Sequence, residues 1–215
     1  MDIMLLRCTS DPEALAGQAA ATCTKSSNWA SALRYAIQSG HESVAEHVSF
    51  TFLVSGVSRS MLAQLTRHRI ATFSVQSQRY VDLGSMETVM PKSIQENPVC
   101  RKLWESIMDE ISEAYRAFVD AGIPLEDARY ITPQAVQTEI MFTMNARELL
   151  HFFSLRCCNR AQWEIRQMAD QMLKLCKEYC PTIFQNAGPG CVRGSCPEKR
   201  PCGHPRGPAL KGEQE

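Results

Sequence analysis

Two short segments in which apolar and polar residues alternate limit the fold of this chain more than any other feature. In residues 48–54 apolar side chains stand at every second position, and Ser49, Thr51 and Ser55 lie on the opposite face. Residues 139–144 repeat the pattern, with Ile140, Phe142 and Met144 on one face. A period of two is typical of a β-strand that buries only one face. The sequence therefore predicts a half-buried sheet.

Helical patterns are more frequent than these strands. The longest has apolar residues at helical spacing from Leu103 to Phe118 and predicts an amphipathic helix that ends at Gly122. Asn145, with Glu148 three residues later, resembles a capping box and predicts the start of another helix. Further patterns predict a strand over 3–6, helices over 12–23, 28–39, 58–66 and 161–179, and a loop over 67–78. Because the strands are few and not regularly interleaved with the helices, the predicted class is α+β.

Composition and charge exclude several classes of protein. Hydrophobic residues make up 44% of the 215 residues, which argues against a disordered chain. The 23 Lys and Arg residues are balanced by 23 Asp and Glu residues, whereas nucleic-acid coats and polybasic membrane binders carry a positive surplus. The N-terminus does not resemble a signal peptide, and no apolar run approaches the length of a membrane span. We therefore expect a cytoplasmic protein.

A change of composition divides the chain. After Asn186 the residues are mainly Gly, Pro, Cys and charged, which is typical of irregular structure. The sequence therefore predicts one folded domain over 1–186 and an irregular C-terminal tail over 187–215.

A segment without acidic residues is the first candidate for a functional site. Between Glu46 and Asp82 there is no Asp, Glu or Lys, whereas Arg59, Arg67, Arg69 and Arg79 fall inside this segment, with His68. Guanidinium groups bind phosphate or carboxylate through two parallel hydrogen bonds. The segment is therefore either an anion-binding site or a solvated basic loop.

The helix that begins at Asn145 is the second candidate. Arg147 and His151 share a polar stripe, whereas Arg156 falls on about the opposite side, among aromatic and aliphatic residues. A buried guanidinium costs several kcal/mol unless it meets a partner. Arg156 therefore contacts a ligand, forms an internal salt bridge or extends its charged end to solvent. Arginines on opposite faces also suggest two ligands, or a site shared between subunits.

Metal-binding patterns are weak. The run from His41 to His47 lacks the four-residue spacing of a zinc-protease helix, because Ala45 stands where the second His is required. The tail carries four further candidate ligands, whose spacing does not match a zinc knuckle: Cys191, Cys196, Cys202 and His204. We predict no metal site, with a zinc-stabilised interaction module as an alternative reading of the tail.

Four segments together resemble one enzyme family. Residues 67–80 read RHRIATFSVQSQRY, an RHR triplet followed after seven residues by Ser. Residues 40–43, 145–149 and 161–166 read GHES, NAREL and AQWEIR. In this order they are similar to blocks of the flavin-dependent thymidylate synthases, and the resemblance extends from about residue 30 to 190.

The resemblance implies a fold and a reaction. Members of this family have a twisted, mainly antiparallel sheet with long flanking helices and assemble as homotetramers with shared active sites. They methylate dUMP to dTMP with 5,10-methylenetetrahydrofolate as carbon donor. FAD, reduced by NADPH, is the hydride source, and tetrahydrofolate is released. Neither nucleic acid nor membrane is an expected partner.

The resemblance also implies roles for single residues. Arg156 is expected to polarise or ionise N3 of the uracil and is the candidate catalytic residue. The expected FAD contacts are His41, Ser43, Arg67, His68, Arg69, Val75, Asn145, Arg147 and His151. The expected dUMP contacts are Gln64, Leu65, Thr66, Arg67, Val75, Gln76, Ser77, Gln78, Arg79, Arg129 and Arg156.

Two positions depart from the family pattern. Some members have an acidic residue where this chain has Val75, so a side-chain contact there is lost. His151 stands where others have Asn, which changes the donor but keeps a polar group. The alternative to the enzyme is a non-catalytic protein that binds a nucleotide or RNA through the Arg-rich segment.

Overall fold

In the computed structural model, which describes residues 1–84 and 86–206, helices and strands follow one another without regular alternation. The strands are β1 (Asp2–Cys8), β2 (Ser49–Ser58), β3 (Ala71–Val75) and β4 (Gln137–Asn145). The longer helices are α1 (Pro12–Thr24), α2 (Trp29–Gln38), α3 (Arg59–Leu65), α5 (Pro98–Asp120), α7 (Ala146–Arg156) and α8 (Trp163–Tyr179). Three are single turns, namely α4 (Lys92–Gln95), α6 (Leu125–Ala128) and α9 (Pro181–Phe184). Short 3-10 helices cover Glu42–His47, Arg129–Ile131 and Gly190–Val192. The predicted α+β class is confirmed.

The strands form an antiparallel sheet in the order β1-β2-β4-β3. The two alternating segments are its central strands. Val48, Phe50, Phe52 and Val54 are fully buried, whereas Ser49 is exposed, as a period of two requires.

The loop predicted over 67–78 was partly wrong, because β3 lies within it. Ala71, Phe73 and Val75 alternate with exposed residues but are themselves only half-buried. This strand is short and lies at the edge of the sheet, so its two faces differ little in burial. The two-residue period that predicts a strand is therefore weak in this segment.

Contacts divide the chain into two compact units. Unit 1 contains Met1–Asp2, Val54–Thr66 and Ser74–Met141, and therefore α3 to α6. Unit 2 contains Ile3–Leu53, Arg67–Phe73 and the chain from Phe142 onwards, and therefore α1, α2 and α7 to α9. The single domain over 1–186 stays a prediction.

The core of unit 1 is centred on Tyr115 of α5. This side chain is fully buried with Leu83, Ala128 and Val136, and its hydroxyl oxygen accepts a hydrogen bond from the Leu83 N–H at 3.2 Å. Burial raises the pKa of the Tyr115 hydroxyl. Helix α5 starts five residues before the predicted Leu103, because the Asn97 side chain accepts hydrogen bonds from two N–H groups of its first turn.

The core of unit 2 is a chain of aromatic rings. Phe52 stacks with Phe50 at 6.3 Å between centroids and packs against Phe142 at 5.7 Å. Phe184 meets the edge of Phe50 at 5.6 Å and that of Phe153 at 5.9 Å, so the rings join β2 to α9 and α7. At the start of α7 the Asn145 side chain accepts a hydrogen bond from the Glu148 N–H, which confirms the predicted cap.

Among the described residues, no helix is both long and apolar enough to cross a membrane.

We predict that Phe52→Ala lowers the free energy of unfolding by about 3–5 kcal/mol, because it leaves a cavity in a fully buried aromatic cluster. Urea denaturation followed by circular dichroism measures the change. The matched control is Phe118→Ala, since Phe118 is 41% exposed and its removal leaves no enclosed void. Equal losses for the two variants would contradict this account of the core.

Candidate active site

His68 links two charged side chains in unit 2. Its Nδ1 lies 2.9 Å from Oε1 of Glu148, and its Nε2 lies 3.1 Å from Nε of Arg156. Both His68 and Glu148 are buried, at 5% and 7% exposure. Phe152 meets the imidazole edge-on, with 4.9 Å between centroids. The Nε of Arg156 therefore has a hydrogen-bond partner, the imidazole of His68. Glu148 of α7 holds this imidazole in place.

The protonation state of His68 follows from these contacts. Burial lowers the pKa of His68, and the charge of Arg156 lowers it further, whereas the hydrogen bond and charge of Glu148 oppose the shift. Burial also lowers the pKa of Arg156. A neutral imidazole with its proton on Nδ1 satisfies both neighbours, since Nδ1–H donates to Glu148 while Nε2 accepts from Arg156.

A cavity of about 680 Å³ lies beside this group in unit 2. Three predicted FAD contacts, Asn145, Arg147 and His151, line it together with the apolar side chains of Ile70 and Leu150. The N-terminus of α7 and the polar stripe that the sequence predicted therefore face the same space. This combination of an apolar surface, an amide and basic groups suits a flat ring that carries phosphate.

Two carboxylates in the same cavity hold its arginines. Glu46 pairs with Arg147, and Glu42 pairs with Arg193 at 3.3 Å. Arg147 and Arg193 are about half exposed, and ion pairs of this kind contribute only about 0–1 kcal/mol. These pairs therefore hold the two arginines only weakly, and Glu148 is a third carboxylate of the described lining. Sequence reasoning missed Arg193, because it lies in the tail outside every motif.

The other predicted FAD contacts lie around these elements. His41 precedes the 3-10 helix that contains Ser43, and that helix packs against α7. Arg67 and Arg69 follow α3 with exposed side chains and do not line the cavity.

A second cavity, of about 570 Å³, lies in unit 1. Four predicted dUMP contacts line it: Thr66, Val75, Gln78 and Arg129. No carboxylate side chain is among its described lining residues.

Arg59 also lines this cavity, although the family resemblance assigned it no contact. Its Nη2 donates to the Gln76 carbonyl oxygen at 2.7 Å, and burial and the charge of Arg129 lower its pKa. Nε of Arg59 and Nε2 of Gln78 are buried and have no hydrogen-bond partner among the described residues. A buried donor without a partner costs about 1–3 kcal/mol, so two such donors beside two guanidinium groups favour an anion in this cavity. Arg59 belongs to the segment without acidic residues, and that segment was the sequence signal that could have placed Arg59 in an anion-binding site.

The remaining predicted dUMP contacts of unit 1 do not line this cavity. Arg79 forms a salt bridge with Glu126 at 2.7 Å, and the Ser77 hydroxyl oxygen accepts a hydrogen bond from the Arg79 N–H. Gln64 is half-buried on α3, and Leu65 is a fully buried core residue.

The cysteines and histidine of the tail form no metal centre in the described part of the chain, where no three His, Cys, Asp or Glu side chains are grouped to hold an ion. All ten cysteines are free thiols. Burial raises the pKa of the Cys157, Cys176 and Cys180 thiols, so these groups stay protonated.

Comparisons with known proteins show the family of this chain. Residues 4–182 match the family model described as thymidylate synthase complementing protein. The flavin-dependent thymidylate synthase of Geobacter sulfurreducens is 49% identical over 212 residues, which cover 92% of this chain and 91% of that protein. The enzyme of the same name from Nitratidesulfovibrio vulgaris is 50% identical over 171 residues, which cover 75% of this chain and 70% of that protein.

A solved structure is similar as well. The flavin-dependent thymidylate synthase of Helicobacter pylori, complexed with FAD and dUMP, superposes with a TM-score of 0.72 at 26% identity, over 87% of this chain and 100% of that one. An α+β fold whose ring-sized cavity combines ion-paired arginines, an amide and apolar side chains is typical of nucleotide- or cofactor-binding proteins. Within that class, this chain belongs to the flavin-dependent thymidylate synthase family.

We predict that Glu148→Gln lowers the pKa of His68 further, because the carboxylate opposes the effect of burial. The pKa of His68 in the native enzyme already lies below the ordinary value of about 6.5. As the pH falls, the unfolded state therefore takes up the proton at a higher pH than the folded state does. Burial of neutral His68 therefore leaves the folded state fully stable above about pH 6.5, and stability is lost as the pH falls through the lower pKa of the folded state. NMR titration of ring-labelled histidine in the native protein and the variant measures the shift. A higher pKa in the variant would contradict the assigned tautomer.

Proposed function

We propose that this chain catalyses the reductive methylation of dUMP to dTMP, with 5,10-methylenetetrahydrofolate as carbon donor and FAD as cofactor. NADPH is the proposed reductant, and tetrahydrofolate is the released folate. The observation that carries the proposal is that Asn145, Arg147 and His151, which the family pattern assigns to the flavin, line one cavity of about 680 Å³ in unit 2.

That cavity fits FAD chemically. Arg147 is positioned to meet the pyrophosphate, in place of its weak ion pair with Glu46. Ile70 and Leu150 offer an apolar surface to the ring system. We assign His41, Ser43, Arg67, Arg69 and the backbone of Val75 to the same cofactor by family analogy. When bound and reduced by NADPH, FAD would supply the hydride, and the protein would position the substrates and polarise the uracil ring.

The cavity of unit 1 fits the phosphate end of dUMP. Arg59 and Arg129 provide two guanidinium groups, and Gln78 provides a buried amide donor without a partner among the described residues. Arg79 and the Ser77 hydroxyl are assigned to the same nucleotide; the salt bridge of Arg79 with Glu126 is about half exposed and therefore weak. Gln64, Leu65, Thr66, Gln76 and the loop through Arg79 complete the proposed set.

Arg156 is the proposed catalytic residue, beside the uracil. Negative charge grows on the ring when the carbon is transferred, and a fixed guanidinium in a partly dry site stabilises such charge without reorganisation. The hydrogen bond from Arg156 to neutral His68 fixes the orientation of the guanidinium group. A protonated His68 would have no lone pair at Nε2 to accept that bond, so the proposed mechanism uses the neutral form.

We also propose that the protein acts as a homotetramer with shared active sites in the cytoplasm. Helix α5 of unit 1 exposes Val99, Leu103 and Ile107, which recur every four residues, at 76%, 59% and 40% exposure. An exposed apolar stripe of this kind is typical of a helix that packs against a partner. Ten free thiols are in keeping with a reducing compartment.

We predict that the purified protein shows a flavin absorbance spectrum that bleaches when NADPH and dUMP are added without oxygen. Addition of methylenetetrahydrofolate should then yield dTMP and tetrahydrofolate in equal amounts, measured by chromatography. A protein that binds dUMP but neither retains nor takes up FAD would instead favour the non-catalytic nucleotide-binding alternative.

We predict that Arg156→Ala lowers kcat by about 10²–10³-fold, the usual loss for one group that stabilises developing charge. FAD content, measured from visible absorbance, should stay unchanged, because the proposed partner of Arg156 is the uracil. Arg34→Ala is the control, since Arg34 is an exposed residue of α2 outside both cavities. Loss of flavin from the Arg156 variant would show that its role lies in binding the cofactor.

A further inference from the structure

Two thiols of unit 2 meet although they are far apart in the sequence. Cys8 is the last residue of β1, and Cys180 caps the C-terminus of α8, immediately before α9. The thiol of Cys180 forms a hydrogen bond with that of Cys8. Both are free thiols, and neither residue lines the cavities proposed for FAD and dUMP. The pair therefore lies outside the site described above.

Contacts beside the pair fix the backbone on both sides of it. The carboxylate of Glu13, in the first turn of α1, accepts hydrogen bonds from the Thr182 N–H and from the Thr182 hydroxyl, the latter at 3.0 Å. The Thr9 N–H donates to a carbonyl oxygen of β2 at 3.0 Å, which attaches the chain that follows β1 to the sheet. These contacts hold the chain after Cys8 close to the chain after Cys180. A covalent bond between the two sulfurs therefore requires little movement of the backbone.

The two thiols differ in their access to solvent and in their acidity. Cys8 is partly exposed, whereas Cys180 is fully buried. Burial raises the pKa of both thiols, but their hydrogen bond lowers the pKa of Cys8 and raises that of Cys180 further. The thiolate is the reactive form of cysteine, so Cys8 is the sulfur that attacks an oxidant from solvent. Cys180 is then the sulfur that resolves the product.

We propose that Cys8 and Cys180 form an oxidation site, at which hydrogen peroxide converts the two thiols into a disulfide. The Cys8 thiolate first attacks one peroxide oxygen and breaks the O–O bond, so Cys8 becomes a sulfenic acid and the other oxygen leaves as water with the thiol proton. The Cys180 sulfur then attacks the sulfenic sulfur, the S–O bond breaks, and that oxygen leaves as a second water with the Cys180 proton. The two thiols lose two electrons in total, and one peroxide is reduced to two waters.

A third thiol in the same cluster does not suit the attacking role. Cys176 lies one helical turn before Cys180 on α8 and is fully buried. Burial raises the pKa of Cys176 well above the ordinary value, and the neighbouring Cys180 and Cys8 raise it further. A buried thiol that stays protonated is a poor nucleophile toward an oxidant in solvent. Cys176 therefore stays reduced in the proposed reaction, and a disulfide that contains it is a distinct outcome.

The disulfide joins the first strand to the end of the last long helix. It closes a loop of about 170 residues, and a cross-link that closes a long loop restricts the unfolded chain more than a short one does. The bond also braces α9, whose Phe184 packs against Phe50 and Phe153 in the aromatic core. Oxidation therefore stabilises unit 2 without a change in the cavities proposed for FAD and dUMP.

Peroxide treatment of the full-length, FAD-loaded protein tests this proposal. Mass spectrometry of a digest prepared without reductant should find the peptides of Cys8 and Cys180 joined, with two hydrogen atoms lost and the bond placed by fragmentation. Dithiothreitol should separate the two peptides. The midpoint of thermal unfolding, followed by circular dichroism, should rise by about 5–15 °C in the oxidised protein. The visible absorbance of FAD should stay unchanged.

Cys8→Ser is the decisive variant, because it removes the attacking sulfur and leaves a small polar group at a partly exposed position. After peroxide treatment it should give neither the joined peptide nor the rise in unfolding temperature. Cys23→Ser is the matched control, since it removes an exposed thiol of α1 and should behave like the unaltered protein.

Three results overturn the proposal. They are Cys8 oxidised without a bond to Cys180, a bond from Cys8 to Cys176, and a rise in unfolding temperature that persists in Cys8→Ser. If Cys8→Ser does not fold, the peptide map of the unaltered protein still decides the pairing. The test is independent of dTMP formation, because the proposed reaction uses neither sulfur.

Discussion

The hydrogen-bonded chain from Glu148 through His68 to Arg156 is the interaction on which the rest of the proposed chemistry depends. Burial keeps His68 neutral, and a neutral imidazole can accept from Arg156 at Nε2 only if its proton sits on Nδ1, where Glu148 accepts it. Glu148 and Arg156 belong to the same helix, whose start the Asn145 cap fixes. One local capping interaction therefore sets the position of two members of the chain.

Guanidinium groups occur in two different environments in this protein. Arg147, Arg193 and Arg79 pair with carboxylates at about half-exposed positions, where an ion pair is weak. Arg59 and Arg129 instead share a cavity without a carboxylate among its described lining residues. Burial and then the charge of Arg129 lower the pKa of Arg59. In the first environment carboxylates neutralise the arginines, whereas in the second no carboxylate of the described lining does so.

The tail shows that irregular backbone can still be specifically placed. Its fixed points are mainly carbonyl oxygens that accept from Asn159 and Arg160, together with the ion pair between Arg206 and Asp170. Contacts of this kind need only one donor each and no repeating pattern, so they leave no periodic signal in the sequence. The same segment provides Arg193 to the cavity proposed for FAD, so this part of the chain contributes to two cavities of unit 2.

The sequence by itself determined the central strands, the start of α7 and the opposite placement of Arg147 and Arg156, because two- and 3.6-residue periods and capping are local properties of the chain. It did not predict β3, whose faces differ little in burial at the edge of the sheet. Only the tertiary structure decided that Arg59 shares a cavity with Arg129, that the Arg156 Nε donates to a neutral histidine, and that the tail encloses a cavity. Each of these three features joins residues that are far apart in the chain. Tertiary packing decides which of their hydrogen-bond donors find partners, and the spacing of residues along the sequence does not.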